Sequence, residues 1–200
     1  MQQKVVHNDL SSILFLIALE VELPTSKFSN LNVQYTGVGK VNAAYITTKN
    51  IMIHKPKAII NYGSAGAVSH DISGLVQVRE VFQRDMDLQG LGFELGQTPF
   101  EVGEDSFVLE DGSYIDSGPN RRKVLCSTGD DFVSEVPKII SDIVDMELYA
   151  IAKVCFRERI PLYSWKFISD NADSNSSKDW ENNVNLGAKE FKKSILSYFL

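Results

Sequence analysis

The 200-residue chain is 44% hydrophobic, which suits one globular domain with an ample core better than two. A net charge of −6 and an isoelectric point near 5.1 argue against a nucleic-acid surface, which needs clustered Lys and Arg. No apolar run approaches membrane-spanning length, and the two isolated cysteines, Cys126 and Cys155, fit a reducing cytoplasm rather than a disulfide scaffold or a metal site.

Residues 1–12 are polar and read as a loose N-terminal arm ahead of a domain spanning 13–200. Ile13–Leu19 is a continuous apolar run of strand length, suited to a sheet covered on both faces. It runs straight into Glu20 and Glu22 with no small-residue cleavage site, so it reads as a strand rather than a signal segment. Carboxylates at the tip of a buried strand are either solvated loop charges or site residues. Asn32–Thr36 reads as a second strand, closed by Gly37-Val38-Gly39-Lys40. That loop lacks the Ser or Thr of a P-loop, since Val41 follows Lys40, and Asn42 stands at the third glycine of a dinucleotide fingerprint. A helix is expected from there to about His54, with Val41, Ala44, Tyr45, Thr48, Ile51 and Met52 on its apolar face, and Pro56 ending it.

Lys57–Ala67 is the central stretch. Its run through Ile59 and Ile60 reads as a buried strand stopping at Gly63, followed by a loop, Gly63-Ser64-Ala65-Gly66. Two glycines without a Cβ let a ligand approach the backbone, although a plain turn leaves the same trace. Leu75–Phe82 is the next strand. Residues 83–120, punctuated by glycines and prolines, are expected as loops with short pieces of structure, a length that suggests function. Then follow a strand at Lys123–Ser127, a helical turn or short helix at Pro137–Ile143, a helix at Met146–Phe156, a last strand at Pro161–Ile168 and an amphipathic helix at Leu186–Phe199. The alternation of strands and helices predicts an α/β three-layer sandwich around a mixed, largely parallel sheet. The histidines His7, His54 and His70 have no ligand-like spacing and read as surface or loop residues.

Glu20 and Glu22, Gly63–Gly66, Gly129-Asp130-Asp131-Phe132 and Ser169-Asp170-Asn171-Ala172-Asp173 all follow predicted strands. Asp145-Met146-Glu147 opens a helix, where the dipole favours a carboxylate. Each has an ordinary reading by itself, since Asp and Glu are common in first turns. Carboxylates converging on one sheet edge beside an aromatic make a candidate site.

Six motifs now carry a resemblance: Ala18–Glu22, Thr36–Ala44, Ile59–Gly66, Ser127–Phe132, Asp145–Glu147 and Ile168–Asp173. In this order they resemble those of the 5′-methylthioadenosine/S-adenosylhomocysteine nucleosidases, of the nucleoside phosphorylase superfamily. The resemblance implies the nucleoside phosphorylase-like fold and hydrolysis of an adenine nucleoside's N-glycosidic bond. That chemistry needs a protonated leaving base, a stabilised ribosyl cation and a positioned water. By similarity Asp170 would be the general acid to N7, a role that burial of its carboxyl would support, and Ser169 would orient it. Glu147 would hold the ribose hydroxyls and Glu22 would polarise the water, with Ser64, Ala65 and Met146 lining the same pocket. Phe132 would stack on the base and the backbone at Val133 would read its edge. Trp180, Leu19, Val38, Leu91 and Pro99 would form the slot for the 5′-alkylthio group. The resemblance further implies a cytoplasmic homodimer without cofactor, metal, nucleic-acid or membrane partner. Lys166 departs from the Arg of many members, and Arg84 replaces the His of a His-Asp-x-Asp element, leaving Asp85 and Asp87. The connections from Pro24 to Gly37 and from Asp130 to Glu147 are short for the family. A nucleoside phosphorylase, a futalosine hydrolase or a non-catalytic nucleoside-binding homologue of the same scaffold remain as alternatives. The Gly37–Lys40 and Gly63–Gly66 loops carry no Arg for phosphate, which favours water as nucleophile.

Overall fold

A computed structural model describes residues 10–27, 31–69, 71–101, 105–118, 121–133, 137–172 and 176–199. Its elements in chain order are β1 (Ile13–Ile17), β2 (Val33–Tyr35), α1 (Lys40–His54), β3 (Ala58–Ala67), β4 (Leu75–Gln83) and β5 (Ser106–Val108). There follow β6 (Lys123–Thr128), β7 (Ile143–Asp145), α2 (Leu148–Glu158), β8 (Leu162–Asp170), α3 (Ser176–Asn183) and α4 (Gly187–Ser194). No helix among the described residues is long and apolar enough to cross a membrane.

Strand β1 shows how the layers arise. Every one of its residues is buried, and its side chains alternate between two cores. Leu14 and Leu16 join Ala43 and Ile51 of α1 and Leu148, Ile151 and Cys155 of α2. Ile13, Phe15 and Ile17 join Phe191 of α4 and the C-terminal Ile195, Leu196 and Phe199. A strand apolar on both faces requires cover on both, and the helices supply it. The sheet runs β2-β1-β3-β7-β6-β4-β5, and β8 pairs with both β3 and β4. Those pairings close β3, β7, β6, β4 and β8 into a ring within the mixed sheet. Parallel pairing of β3 with β8 sets Gly63 opposite Lys166 and Gly66 opposite Asp170, with a register irregularity between Ala65 and Gly66.

Several local expectations change. The strand expected to stop at Gly63 continues through both glycines to Ala67, because β8 and β7 supply pairing partners along it. The helical turn expected over Pro137–Ile143 is absent; strand β7 begins at Ile143, pairing with both β3 and β6. Asp170 lies inside β8 rather than beyond it. Helix α3 stands where no helix was expected, and the closing helix breaks after Ser194 into a 3-10 turn at Leu196–Tyr198. Of the expected loose arm, Leu10–Ser12 form a 3-10 turn with Leu10 packed on the core, and residues 1–9 lie outside the described residues. His7 and His70 also lie outside them.

Helix α1 presents a different face from the one expected. It buries Ala43, Thr47, Asn50 and Ile51, whereas Val41, Tyr45 and Met52 are 80%, 63% and 73% exposed. Apolar residues lie all round this helix, so periodicity alone does not choose a side; the small Ala43 and Thr47 allow close approach to the sheet.

Phe191 is fully buried and stacks on Tyr62 at 4.2 Å between ring centroids, with Trp165 beyond it. Phe191→Ala is expected to cost about 3–5 kcal/mol. The urea midpoint checks it: an unshifted midpoint would show that α4 contributes little to the core.

Candidate active site

The C-terminal ends of β1, β3, β6, β7 and β8 meet around a cavity of about 240 Å³. Leu19, Glu22, Val38, Ser64, Ala65, Phe132, Val133, Met146, Glu147, Ser169, Asp170 and Trp180 all line it. Leu91 and Pro99 do not: Leu91 is 74% exposed on the 3-10 turn Gln89–Leu91, away from the cavity wall.

Glu22 is buried just beyond β1. Its Oε1 accepts hydrogen bonds from the Ser64 backbone N–H and from Ser64 Oγ, both at 2.7 Å. Its Oε2 accepts the Leu19 N–H at 3.0 Å. Trp180 Nε1 donates to Ser64 Oγ at 2.9 Å, so the indole of α3 holds the serine that holds Glu22. Gly63 makes this possible, since a Cβ there would stand 3.3 Å from Glu22 Oε1.

Asp170 depends on a glycine in the same way. A Cβ on Gly66 would meet Asp170 Oδ1 at 2.7 Å, closer than real side chains approach. The carboxyl accepts Ser169 Oγ at 2.8 Å on Oδ2 and the Ala172 N–H at 3.0 Å on Oδ1. Asn183 Nδ2 of α3 donates to the Ser169 carbonyl at 2.9 Å, fixing the segment from a second element.

Glu147 precedes α2 and accepts the Gly39 N–H at 2.9 Å, which draws the Gly37–Lys40 loop over the cavity. Burial, with the neighbouring Asp145 charge, pushes its carboxyl up to about 7 from an ordinary 4.5. Asp145 itself is buried against Lys166, whose Nζ lies 2.7 Å from Oδ2. Burial opposes both charges, yet the pair prevails: Asp145 is held below and Lys166 above its ordinary value. Asp145 also accepts Thr128 Oγ1 at 2.5 Å and the Leu148 N–H at 2.9 Å.

Arg84, Asp131 and Asp145 line the cavity too; Asp131 and Asp145 belong to the carboxylate stretches picked out in the sequence but were given no role, and Arg84 was noted only as a departure from the family. A signal existed for the ion pair: Lys166 is a lone cation in an apolar strand, and a buried ammonium demands a carboxylate. Arg84 had no comparable signal, because its partners are backbone carbonyls.

A charge count defines what the cavity is suited to. Five carboxyl side chains line it: Glu22, Asp131, Asp145, Glu147 and Asp170. Asp145 is neutralised by Lys166 and Asp131 pairs with Arg84 at 3.2 Å. Glu22, Glu147 and Asp170 form no ion pair among the described residues. Arg84 is the only cation among the described lining residues, and its Nη1 and Nη2 are bonded to carbonyls and Asp131, with only Nε left without a partner among the described residues. Such a site favours a developing positive charge and disfavours an anionic co-substrate.

The Phosphorylase superfamily profile matches residues 21–199, and the chain belongs to that superfamily. A Staphylococcus carnosus 5′-methylthioadenosine/S-adenosylhomocysteine nucleosidase is 30% identical over 178 residues, covering 80% of this chain and 77% of its own. Within the superfamily the chain is therefore a member of the 5′-methylthioadenosine/S-adenosylhomocysteine nucleosidase family. The fold agrees with that of a Helicobacter pylori nucleosidase of this name, with TM-score 0.83, 22% identity and coverage of 93% and 96% of the two chains. Futalosine hydrolase of Helicobacter pylori superposes as well, with TM-score 0.84, 20% identity and coverage of 94% and 96%. At these identities the two likenesses concern the fold.

The Glu147 shift has a signed consequence. A carboxyl raised in the folded state binds its proton more tightly there than in the unfolded chain. Its contribution favours folding at low pH and is lost as pH climbs from about 4.5 through about 7. Glu147→Gln abolishes this titration, so the variant should gain melting temperature relative to wild type between pH 5 and pH 8. Scanning fluorimetry across that range reads the difference, and a constant gap would exclude the shift.

Proposed function

We propose that this chain hydrolyses the N-glycosidic bond of 5′-methylthioadenosine and S-adenosylhomocysteine, releasing adenine and the 5-thioribose product. The observation that carries this reading is the set of three carboxyls, Glu22, Glu147 and Asp170, that form no ion pair among the described residues and line one cavity whose only cation among the described lining residues, Arg84, is bonded to carbonyls and Asp131. Asp170 donates its proton to N7, so that the base leaves neutral, and Ser169 holds the carboxyl in place. Phe132 stacks on the base and the Val133 backbone reads its edge. Glu147, close to half-protonated near neutral pH, binds the ribose hydroxyls as donor and acceptor. Glu22 polarises the attacking water, its own geometry fixed by Ser64 and Leu19. The carboxylates on the wall, that of Asp170 once its proton has passed to N7, stabilise the ribosyl cation. Trp180, Leu19 and Val38 receive the 5′-alkylthio group, with Ala65 and Met146 completing the wall.

Incubation with methylthioadenosine, with and without phosphate, tests the reaction. Adenine and free methylthioribose should appear at equal rates in both; a ribose 1-phosphate product would establish a phosphorylase. Parallel incubation with futalosine tests the alternative substrate. Asp170→Asn keeps shape and hydrogen bonding but removes the transferable proton, so kcat should fall by about 10²–10⁴-fold. Near-normal turnover in a folded Asp170→Asn protein would remove Asp170 from the mechanism.

The two buried free thiols, Cys126 and Cys155, support a cytoplasmic setting. The exposed stripe of Val41, Tyr45, Met52 and Ile53 on α1 supports a homodimer in which a second copy covers it. Tyr45→Glu should shift the sedimentation coefficient from dimer to monomer, and an unchanged value would place the interface elsewhere.

A further inference from the structure

Arg84 follows β4 directly, and its own N–H donates to the Thr128 carbonyl at 2.8 Å. The residue is 8% exposed and forms part of the cavity wall. Nη1 donates to the carbonyls of Ser127 at 2.9 Å and Asp145 at 2.8 Å. Nη2 donates to the Asp131 carbonyl at 2.5 Å, lies 3.3 Å from that of Gly129, and reaches Asp131 Oδ1 at 3.2 Å. One planar group thereby joins the end of β6, the loop after it and the end of β7. Gly129 leaves the space for it, since a Cβ there would meet Arg84 Cζ at 2.8 Å. Asp85 extends the clasp: it receives the Asp130 N–H at 2.8 Å and the Lys40 ammonium, while the Lys40 N–H reaches Asp130 Oδ1 at 2.7 Å.

We infer that Arg84 is the positioning residue of the base-binding wall. It touches no reacting atom. It sets Phe132 and Val133, which follow the loop it grips, against Glu147, which follows the Asp145 carbonyl it also grips. The inference rests on the proposed adenine-nucleoside reading. Four carbonyls from three segments need several donors in a fixed fork, which a guanidinium has and an ammonium lacks. Base contacts exist in both the bound and the transition states, so disturbing the wall weakens binding more than it slows the bound complex.

Adenine binding by calorimetry and steady-state kinetics with methylthioadenosine test this on wild type, Arg84→Lys and Arg84→Ala. In both variants the adenine Kd and the KM should rise about tenfold or more, with a smaller change in kcat. Millimolar guanidinium chloride, compared with equal sodium chloride, should lower the KM of Arg84→Ala and leave wild type unchanged. Wild-type affinity in Arg84→Lys would overturn the inference, as would equal losses in Arg84→Ala that guanidinium does not restore. Arg84→Lys, which keeps the charge, decides alone if Arg84→Ala does not fold. A wild-type protein that neither binds adenine nor cleaves the nucleoside would instead overturn the proposed function.

Discussion

The ion pair between Lys166 and Asp145 is the constraint on which the rest depends. It joins β8 to the end of β7, and the same carboxylate takes Thr128 of β6 and the first N–H of α2. Each charge by itself would lose several kcal/mol of hydration on burial. The 2.7 Å contact and two further hydrogen bonds offset that loss, so the pair persists only while β6, β7, β8 and α2 remain in register. Removing one partner would leave an uncompensated buried charge, whereas keeping both makes the position of Glu147, two residues beyond Asp145, a consequence of the ring closure.

Neutralising one carboxylate is also what gives the others their distinct characters. Asp145 is satisfied, and its residual charge acts with burial to keep Glu147 reluctant to ionise. Glu22 and Asp170 each lie against a glycine of β3. Gly63 and Gly66 serve the site by what they lack. A strand residue with a Cβ at either position would push a carboxyl away from the backbone it rests on. Extended backbone and missing side chain together explain why this strand continues where composition suggests a loop.

The site was more legible than the fold around it. Twelve of the fourteen residues named for the pocket line one cavity, because residues at strand ends converge whenever the strands share a sheet edge. Leu91 and Pro99 fall outside it, since they belong to a long connection whose path no local pattern sets. Arg84 was visible as a departure, but its work is done through carbonyl oxygens, which every residue carries alike.

Local chemistry alone determined the strands with continuous apolar runs, the existence of the helices observed at Lys40–His54 and Leu148–Glu158, the α/β class and the carboxyl set at the strand ends. These follow from side-chain burial and backbone preference within a few residues of one another. Tertiary structure decided which face of α1 is buried, that Ile143–Asp145 is a strand and that β3 passes through its glycines. It also decided that Lys166 meets Asp145 and that Arg84 reaches the carbonyls of Ser127, Gly129, Asp131 and Asp145. Each of those depends on a partner far away in the chain: a three-residue strand exists only by its neighbours' hydrogen bonds, and a buried charge only by its counter-charge.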